Sequence, residues 1–154
     1  MAEYTPRTAM RWLSRGLRPG LALALFLTQF TTNRATLFTA NPYLVALGVI
    51  LVLAGLWLWL SASHALRQAL QRDAIAQTGP YRAIRHPIYV SIYLLSAGLG
   101  LIFFACAWFI VLLAFLPLWH LESREEERRM MAEHGQAYAA YRARTGAYWP
   151  KMRG

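Results

Sequence analysis

The sequence predicts an all-α integral membrane protein with about four transmembrane helices. Three observations lead to this class: 57% of the 154 residues are hydrophobic, only 15% are charged, and the apolar residues are gathered into long runs. We expect one domain, with residues 1–18 forming an interfacial helix, 19–121 the transmembrane region and 122–154 a cytoplasmic segment. No stretch has the pattern of a removable signal peptide.

Four apolar runs approach the roughly 20 residues that a bilayer core about 30 Å thick requires. The first, at residues 19–38, is interrupted by polar side chains, whereas the second, at residues 43–65, is apolar throughout. Residues 87–121 form a mostly apolar run that is too long for one span. We therefore expect two short helices there, joined as a tight hairpin that turns within residues 98–105.

The basic residues collect on one side of this four-span arrangement. Of the 16 Lys and Arg residues, 15 lie before the first span, between the second and third, or after the fourth, and only Arg34 lies on the other side. Because basic residues concentrate in cytoplasmic loops, both termini and the middle loop are predicted to be cytoplasmic. Orientation and contact with anionic lipid headgroups then explain the net charge of +9, and nucleic-acid binding is not expected. Residues 4–18 suit a helix that lies in the membrane interface.

The sequence shows no metal-binding pattern. Cys106 is the only cysteine and lies within an apolar run, so it can form neither an internal disulfide nor a Cys-based metal site. His64, His120 and His134 lack the i, i+4 spacing of a metal-binding pair. No metal is expected.

The loop before the third span places charge and aromatic rings at the membrane surface. Pro87 fits the first turn of a helix, where it has no N–H to lose, and it pushes His86 out of helical geometry. Arg85 and His86 are therefore expected beside a helix N-terminus, which attracts anions. Tyr89, one turn into the helix, and Tyr81, in the loop, would approach the same place. The alternative is a basic collar with tyrosines in the interfacial aromatic belt.

A strongly charged helix is expected after the fourth span, from Glu126 to about Tyr141. Such a charge run usually indicates a solvated, salt-bridged helix. A carboxylate that leaves the membrane beside Arg85 and His86 would instead complete a pocket with both signs of charge and several aromatic faces. S-adenosylmethionine needs this mixture: its carboxylate suits an arginine or a helix N-terminus, its ammonium and hydroxyls suit a carboxylate, and its sulfonium and adenine suit aromatic faces.

These residues form two motifs in a fixed order. The first is Gly79-Pro80-Tyr81 followed by Arg85-His86-Pro87-x-Tyr89, and the second is Glu126-Glu127 followed by Gly135-x-x-Tyr138-x-x-Tyr141, Gly146 and Pro150. The pattern resembles the membrane isoprenylcysteine carboxyl methyltransferases and the related phospholipid methyltransferases. The resemblance covers residues 75–150, about half of the chain.

The resemblance implies S-adenosylmethionine-dependent methyl transfer at the cytoplasmic face, with the C-terminal helix folded over the cofactor. The residues alone assign Arg85 to the cofactor's carboxylate, whereas the family pattern stresses the histidine and the tyrosine, so both are candidates. The expected cofactor-binding residues are Ile75, Ala76, Tyr81, Arg85, His86, Pro87, Ile88, Tyr89 and Glu126.

The chain departs from the family pattern where the methyl acceptor is expected. Isoprenylcysteine methyltransferases carry an arginine four residues before the first matched glutamate, suited to a substrate carboxylate, and this chain has Glu122 there. Arg124 lies nearby but on a different face of the helix. We take Glu122 and Arg124 as the candidate catalytic residues, and His120 or Glu122 could serve as a base.

The acceptor is predicted to be an amine, thiol or carboxylate on a lipid or on a small hydrophobic molecule that enters between the spans. Glu122 would repel a carboxylate, so methylation of a prenylated protein C-terminus is disfavoured. Two other functions are open from the sequence. One is a non-catalytic membrane protein that binds lipids or a partner. The other is a nicotinamide-dependent reductase, since sterol reductases carry a similar Arg-His-Pro element, although this chain has no Gly-rich dinucleotide fingerprint.

Overall fold

The computed structural model of the protein describes residues 41–103 and 106–151. These residues form three α-helices, α1 (Pro42–Gln71), α2 (Pro87–Ile102) and α3 (Cys106–Arg144), and a short 3-10 helix (Gly79–Arg82) between α1 and α2. The predicted interfacial helix and first span lie outside the described residues. Within the described ranges the protein is all-helical, as predicted, and the one β pairing is an isolated bridge between Ile84 and Gly146.

α1 is the one helix of the described residues that is long and apolar enough to cross a membrane. It begins at Pro42, with the side chain of Asn41 capping it by accepting a hydrogen bond from the Tyr43 N–H at 2.9 Å. The helix continues past residue 65, the predicted end of the apolar run, into polar last turns. In this part of the helix the His64 and Gln68 side chains hydrogen-bond at 2.9 Å. Its 30 residues span about 45 Å at ~1.5 Å per residue, more than a bilayer core requires.

α1 and α2 pack closely through small residues. A Cβ atom placed on Gly98 would lie 2.6 Å from the Gly48 carbonyl oxygen, and one placed on Gly55 would lie 2.9 Å from the Leu95 nitrogen. Small residues allow membrane helices to approach in this way. Further along α1, this face continues toward the 3-10 helix, where Tyr81 packs against three buried alanines, Ala62, Ala65 and Ala69.

α2 begins at Pro87, as predicted, and α3 returns beside it. Near the far end of α2, the buried Trp108 of α3 donates its Nε1–H to the Ser96 carbonyl at 2.8 Å. Near the start of α2, the Trp119 ring lies 5.2 Å from the Tyr89 ring. The two helices are therefore antiparallel. The number of four spans and the membrane hairpin remain predictions, as do the multi-pass topology and the side on which the termini lie.

α3 continues from its apolar first half into the charged segment without a break, although we expected a new helix at Glu126. No Gly or Pro occurs in residues 118–134, so nothing in this stretch ends the helix. The helix bends at Gly135, which has φ 50° and ψ −122°. This is the conformation of the first central position of a type II′ turn, which favours glycine. Beyond the bend, the buried Tyr138 and Tyr141 turn back toward the 3-10 helix, where the Tyr141 hydroxyl donates to the Tyr81 carbonyl at 2.9 Å.

Candidate functional site

A cavity of about 1100 Å³ lies between the end of α1, the loop that follows it, the start of α2 and the middle of α3. Most of the residues predicted from the sequence line it. Two do not: Pro87 is fully buried, and Arg124 is exposed on α3 outside the cavity lining. The predicted residues that line the cavity are Ile75, Ala76, Tyr81, Arg85, His86, Ile88, Tyr89, Glu122 and Glu126.

Glu127, which was not among the predicted site residues, is a centre of charge behind the cavity wall. Its Oε1 accepts a hydrogen bond from Arg85 Nε at 2.7 Å and lies 3.2 Å from His86 Nε2. Its Oε2 lies 3.3 Å from Arg142 Nε. Burial acts to raise the pKa of Glu127, but the hydrogen bond and charge of Arg85, together with His86, hold that pKa below its ordinary value of 4.5. Glu127 is therefore ionised at neutral pH.

Arg85 ties the loop to the C-terminal segment, residues 145–151. Its Nη1 donates to the Arg142 carbonyl at 3.3 Å and to the Thr145 carbonyl. Its backbone N–H donates to the Gly146 carbonyl at 2.8 Å, and the backbone N–H of His86 donates to the Ala147 carbonyl at 3.0 Å. The backbone N–H groups of the two residues that precede α2 are thus used by carbonyls of the chain itself.

His86 lies between the two glutamates and is only 5% exposed. Its Nδ1 lies 3.8 Å from Glu126 Oε2, on the opposite side of the ring from the contact with Glu127. The rings of Tyr89 and Tyr148 each lie 5.6 Å from the imidazole. Burial lowers the pKa of His86 below its ordinary value of 6.5, although Glu126 and Glu127 act in the opposite direction. The imidazole is therefore neutral at neutral pH.

The lining of the cavity contains many acidic and aromatic side chains. Five carboxylates line it but only two guanidinium groups, of which Arg85 is bound by Glu127 and Arg129 lies 3.5 Å from Glu125. Burial raises the pKa values of Tyr138 and Tyr141 to about 12, so these hydroxyls stay protonated. The carboxylates are those of Asp73, Glu122, Glu125, Glu126 and Glu133, and the large aromatic side chains are Tyr81, Tyr89, Trp119, Tyr138 and Tyr141.

Apolar side chains of α1, α2 and α3 complete the lining of the cavity. Leu70 is 70% exposed, and Leu118 and Leu121 are 53% and 63% exposed. Leu66 and Ile92 also line the cavity, and Leu66 packs against the cluster that contains Tyr81. A ligand with a charged head and an apolar tail would therefore find both kinds of contact in the cavity.

The described residues combine one long apolar helix with an acidic, aromatic cavity. In the described residues no group of His, Cys, Asp or Glu side chains could hold a metal ion. The phospholipid methyltransferase family model matches residues 42–137, and the chain belongs to this family of membrane methyltransferases. The matched region begins with α1 and contains the loop, α2 and the Glu126-Glu127 pair of α3. Searches of the curated proteins and of the solved structures found no match.

Proposed function

We propose that the protein is an S-adenosylmethionine-dependent membrane methyltransferase, with the cofactor against the acidic and aromatic side chains of the cavity and the methyl acceptor beside the leucines of α3. The observation that carries the proposal is the convergence of Glu126, His86 and Tyr89 in an acidic, tyrosine-lined cavity. S-adenosylmethionine has one net positive charge, so an acidic lining attracts it. The volume of about 1100 Å³ is large enough for the cofactor and the head of an acceptor.

The lining residues fit the separate parts of the cofactor. Aromatic rings attract a sulfonium through their faces, and Tyr89 and Trp119 are the partly buried aromatic side chains of the lining. Glu126 is suited to the cofactor's ammonium or ribose hydroxyls. Ile75, Ala76 and Ile88 offer apolar contacts for the adenine. Because Arg85 is bound to Glu127 and to backbone carbonyls, we assign it to positioning the loop rather than to the cofactor's carboxylate.

An amine is the acceptor that the lining favours. Glu122 lines the cavity, and its negative charge repels a carboxylate and attracts a protonated amine. We therefore assign the acceptor contact to Glu122 rather than to the exposed Arg124. Glu122 would take the proton of the ammonium, because only the neutral amine has the lone pair that forms the new bond. When bound, S-adenosylmethionine would supply the methyl group, with the N–C bond forming in line as the C–S bond breaks and S-adenosylhomocysteine leaving. The chain contributes alignment of the two reactants and exclusion of water.

We also propose that the cavity opens at the cytoplasmic surface, because 15 of the 16 basic residues lie on that side of a four-span arrangement. The cofactor would reach the cavity from the cytoplasm. A lipidic acceptor would enter sideways, past Leu118 and Leu121. Activity that is confined to fully water-soluble acceptors would contradict this arrangement.

Binding of S-adenosylhomocysteine, measured by calorimetry in detergent, tests the proposal. We expect the wild-type protein to bind it and Glu126→Gln to bind it at least tenfold more weakly, because a carboxylate contact is lost. Arg128→Gln is the matched control, since Arg128 is 76% exposed, lies two residues further along α3 and does not line the cavity. A wild-type protein that binds no S-adenosylhomocysteine at millimolar concentration refutes the proposal, and one that binds a nicotinamide cofactor instead supports the reductase alternative.

The acceptor can be found with methyl-labelled S-adenosylmethionine and a membrane lipid extract. We expect the label to appear in the lipid fraction, on amine-bearing molecules. Label on a carboxylate would contradict the role that we assign to Glu122. Glu122→Gln should then weaken methyl transfer to an amine while S-adenosylhomocysteine binding changes less than twofold.

A further inference from the structure

We propose that Glu127 is a positioning residue that fixes the tautomer of His86, so that His86 Nδ1 and Glu126 Oε2 together receive one protonated amine. The inference rests on the proposed function only in taking the cavity as a ligand site. It concerns atoms on both sides of one imidazole ring, with Glu127 behind the cavity wall and Glu126 in it.

The contacts of Glu127 determine where the imidazole proton lies. Glu127 Oε1 receives the Arg85 Nε–H at 2.7 Å, which keeps the carboxylate ionised, and an ionised carboxylate can only accept hydrogen bonds. His86 Nε2, at 3.2 Å from the same oxygen, must therefore be the protonated nitrogen. A neutral imidazole carries a single N–H, so His86 Nδ1 is an acceptor.

Two acceptor atoms consequently face each other at the cavity. His86 Nδ1 and Glu126 Oε2 lie 3.8 Å apart, too far for a hydrogen bond between them. A primary ammonium has three N–H groups and can donate to both atoms from one position. Tyr89 Oη lies 3.5 Å from Glu126 Oε2 and orients that carboxylate. The chemistry that completes this arrangement is a protonated amine.

The arrangement depends on the protonation state of His86. The charged groups around the imidazole are Arg85 in the loop, Glu126 and Glu127 on α3, and, through Glu127, Arg142; the rings of Tyr89 and Tyr148 are its uncharged neighbours. A proton added to Nδ1 would turn that atom from an acceptor into a donor, so the amine would lose one of its two acceptors. Amine binding should therefore weaken as the pH falls, by at most about tenfold per pH unit.

The amine could belong to the cofactor, which carries one on its amino-acid part, or to the acceptor. Both sources offer the same chemistry to His86 and Glu126, and matched ligands separate them. S-adenosylhomocysteine is compared with its deaminated analogue for the first source. Dodecylamine is compared with dodecanol for the second.

The inference is tested by nitrogen NMR of the ¹⁵N-histidine-labelled protein in detergent micelles, with the His86 signals assigned from the His86→Gln variant. We expect wild-type His86 at pH 7.5 to carry its proton on Nε2. In Glu127→Ala no acceptor remains beside Nε2, whereas Glu126 Oε2 still lies 3.8 Å from Nδ1, so at least half of His86 should change to the tautomer protonated on Nδ1. Arg128→Gln should leave the tautomer unchanged, because Arg128 contacts Glu125 instead.

Addition of one amine, but not of its matched ligand without the amine, should shift the wild-type Nδ1 signal, and the shift should be absent in Glu127→Ala. A wild-type His86 protonated on Nδ1 overturns the inference, even if Glu127→Ala fails to fold. So does a Nδ1 signal that responds to neither amine, or a Glu127→Ala protein that retains the wild-type tautomer. If the inference fails in a protein that still binds S-adenosylhomocysteine, the proposed function stands. If the protein binds no S-adenosylhomocysteine, the proposed function fails, but the tautomer of His86 can still be measured.

Discussion

Replacement of Arg85 distinguishes a positioning role from direct contact with the cofactor. Arg85→Gln removes the bond to Glu127 at 2.7 Å and the bonds to the Arg142 and Thr145 carbonyls. Removal of one partner from a buried ion pair costs about 3–5 kcal/mol. The side chains of Arg85 and Glu127 are 10% and 12% exposed, and Arg142 stays 3.3 Å from Glu127 to offset part of the lost charge. We therefore expect Arg85→Gln to lower the free energy of unfolding by about 3 kcal/mol, the lower end of that range. This corresponds to a change of roughly a hundredfold in the folding equilibrium.

Unfolding in mixed micelles of increasing denaturing-detergent content, followed by tryptophan fluorescence, measures this loss. Arg128→Gln is the control, because its exposed ion pair with Glu125 should contribute less than about 0.5 kcal/mol. The double variant with Glu127→Gln should show a coupling of more than about 1 kcal/mol. An Arg85→Gln protein of wild-type stability that no longer binds S-adenosylhomocysteine would refute the reasoning. That result would indicate that Arg85 binds the cofactor's carboxylate.

Three further predictions follow from the backbone and from the buried charges. Gly135→Ala should destabilise the protein by about 1–3 kcal/mol in the same unfolding assay, because φ is 50° there. The control Ala132→Gly, in the exposed turn before the bend, should cost only about 1 kcal/mol. Equal losses of stability in the two variants would contradict the special conformation of Gly135. Gly98→Val should separate α1 from α2 and cost about 2–4 kcal/mol of stability or prevent folding, since even a Cβ would lie 2.6 Å from the Gly48 carbonyl oxygen. A Gly98→Val protein of wild-type stability would contradict this packing. Stability should fall below pH 6.5, where unfolded His86 gains a proton that the folded side chain resists, and fall further below pH 4.5, where unfolded Glu127 is protonated first. Unfolding measured from pH 8 to pH 4 checks this, and a His86→Gln protein with an unchanged profile above pH 4.5 would contradict the first part.

The parts of the fold that were predictable depend on local sequence features. The length of the apolar run identified α1, and Pro87 marked the start of α2 because proline is tolerated in the first turn and disfavoured later. The end of α1 was predicted six residues too early, since an apolar run shows where the membrane-compatible surface ends and not where the helix does. His64 and Gln68 have no helix-breaking tendency, so the helix continues past the apolar surface.

The site was predictable as a set of chemical groups but not as a set of contacts. The sequence singled out both glutamates of the second motif, yet successive residues of a helix point about 100° apart, and the packing of α3 against the loop decides which one faces the cavity. That packing places Glu127 behind the wall and Glu126 in it. The sequence also left undetected the role of the C-terminal segment, because Gly146 and Ala147 act through backbone carbonyls, which every residue has.

The bonds that close the cavity join parts of the chain that are far apart in sequence. Arg85 contacts Glu127 at a separation of 42 residues and Thr145 at 60, and the Arg144 side chain reaches Gln77 at 67. Long loops cost more entropy to close than the local turns within a helix, so we expect α1 and α2 to form and pack before the cavity is complete. Local opening of the C-terminal segment would then require less free energy than separation of α1 from α2. A weakened site would thus give a protein that is inserted and helical yet unable to bind its ligand.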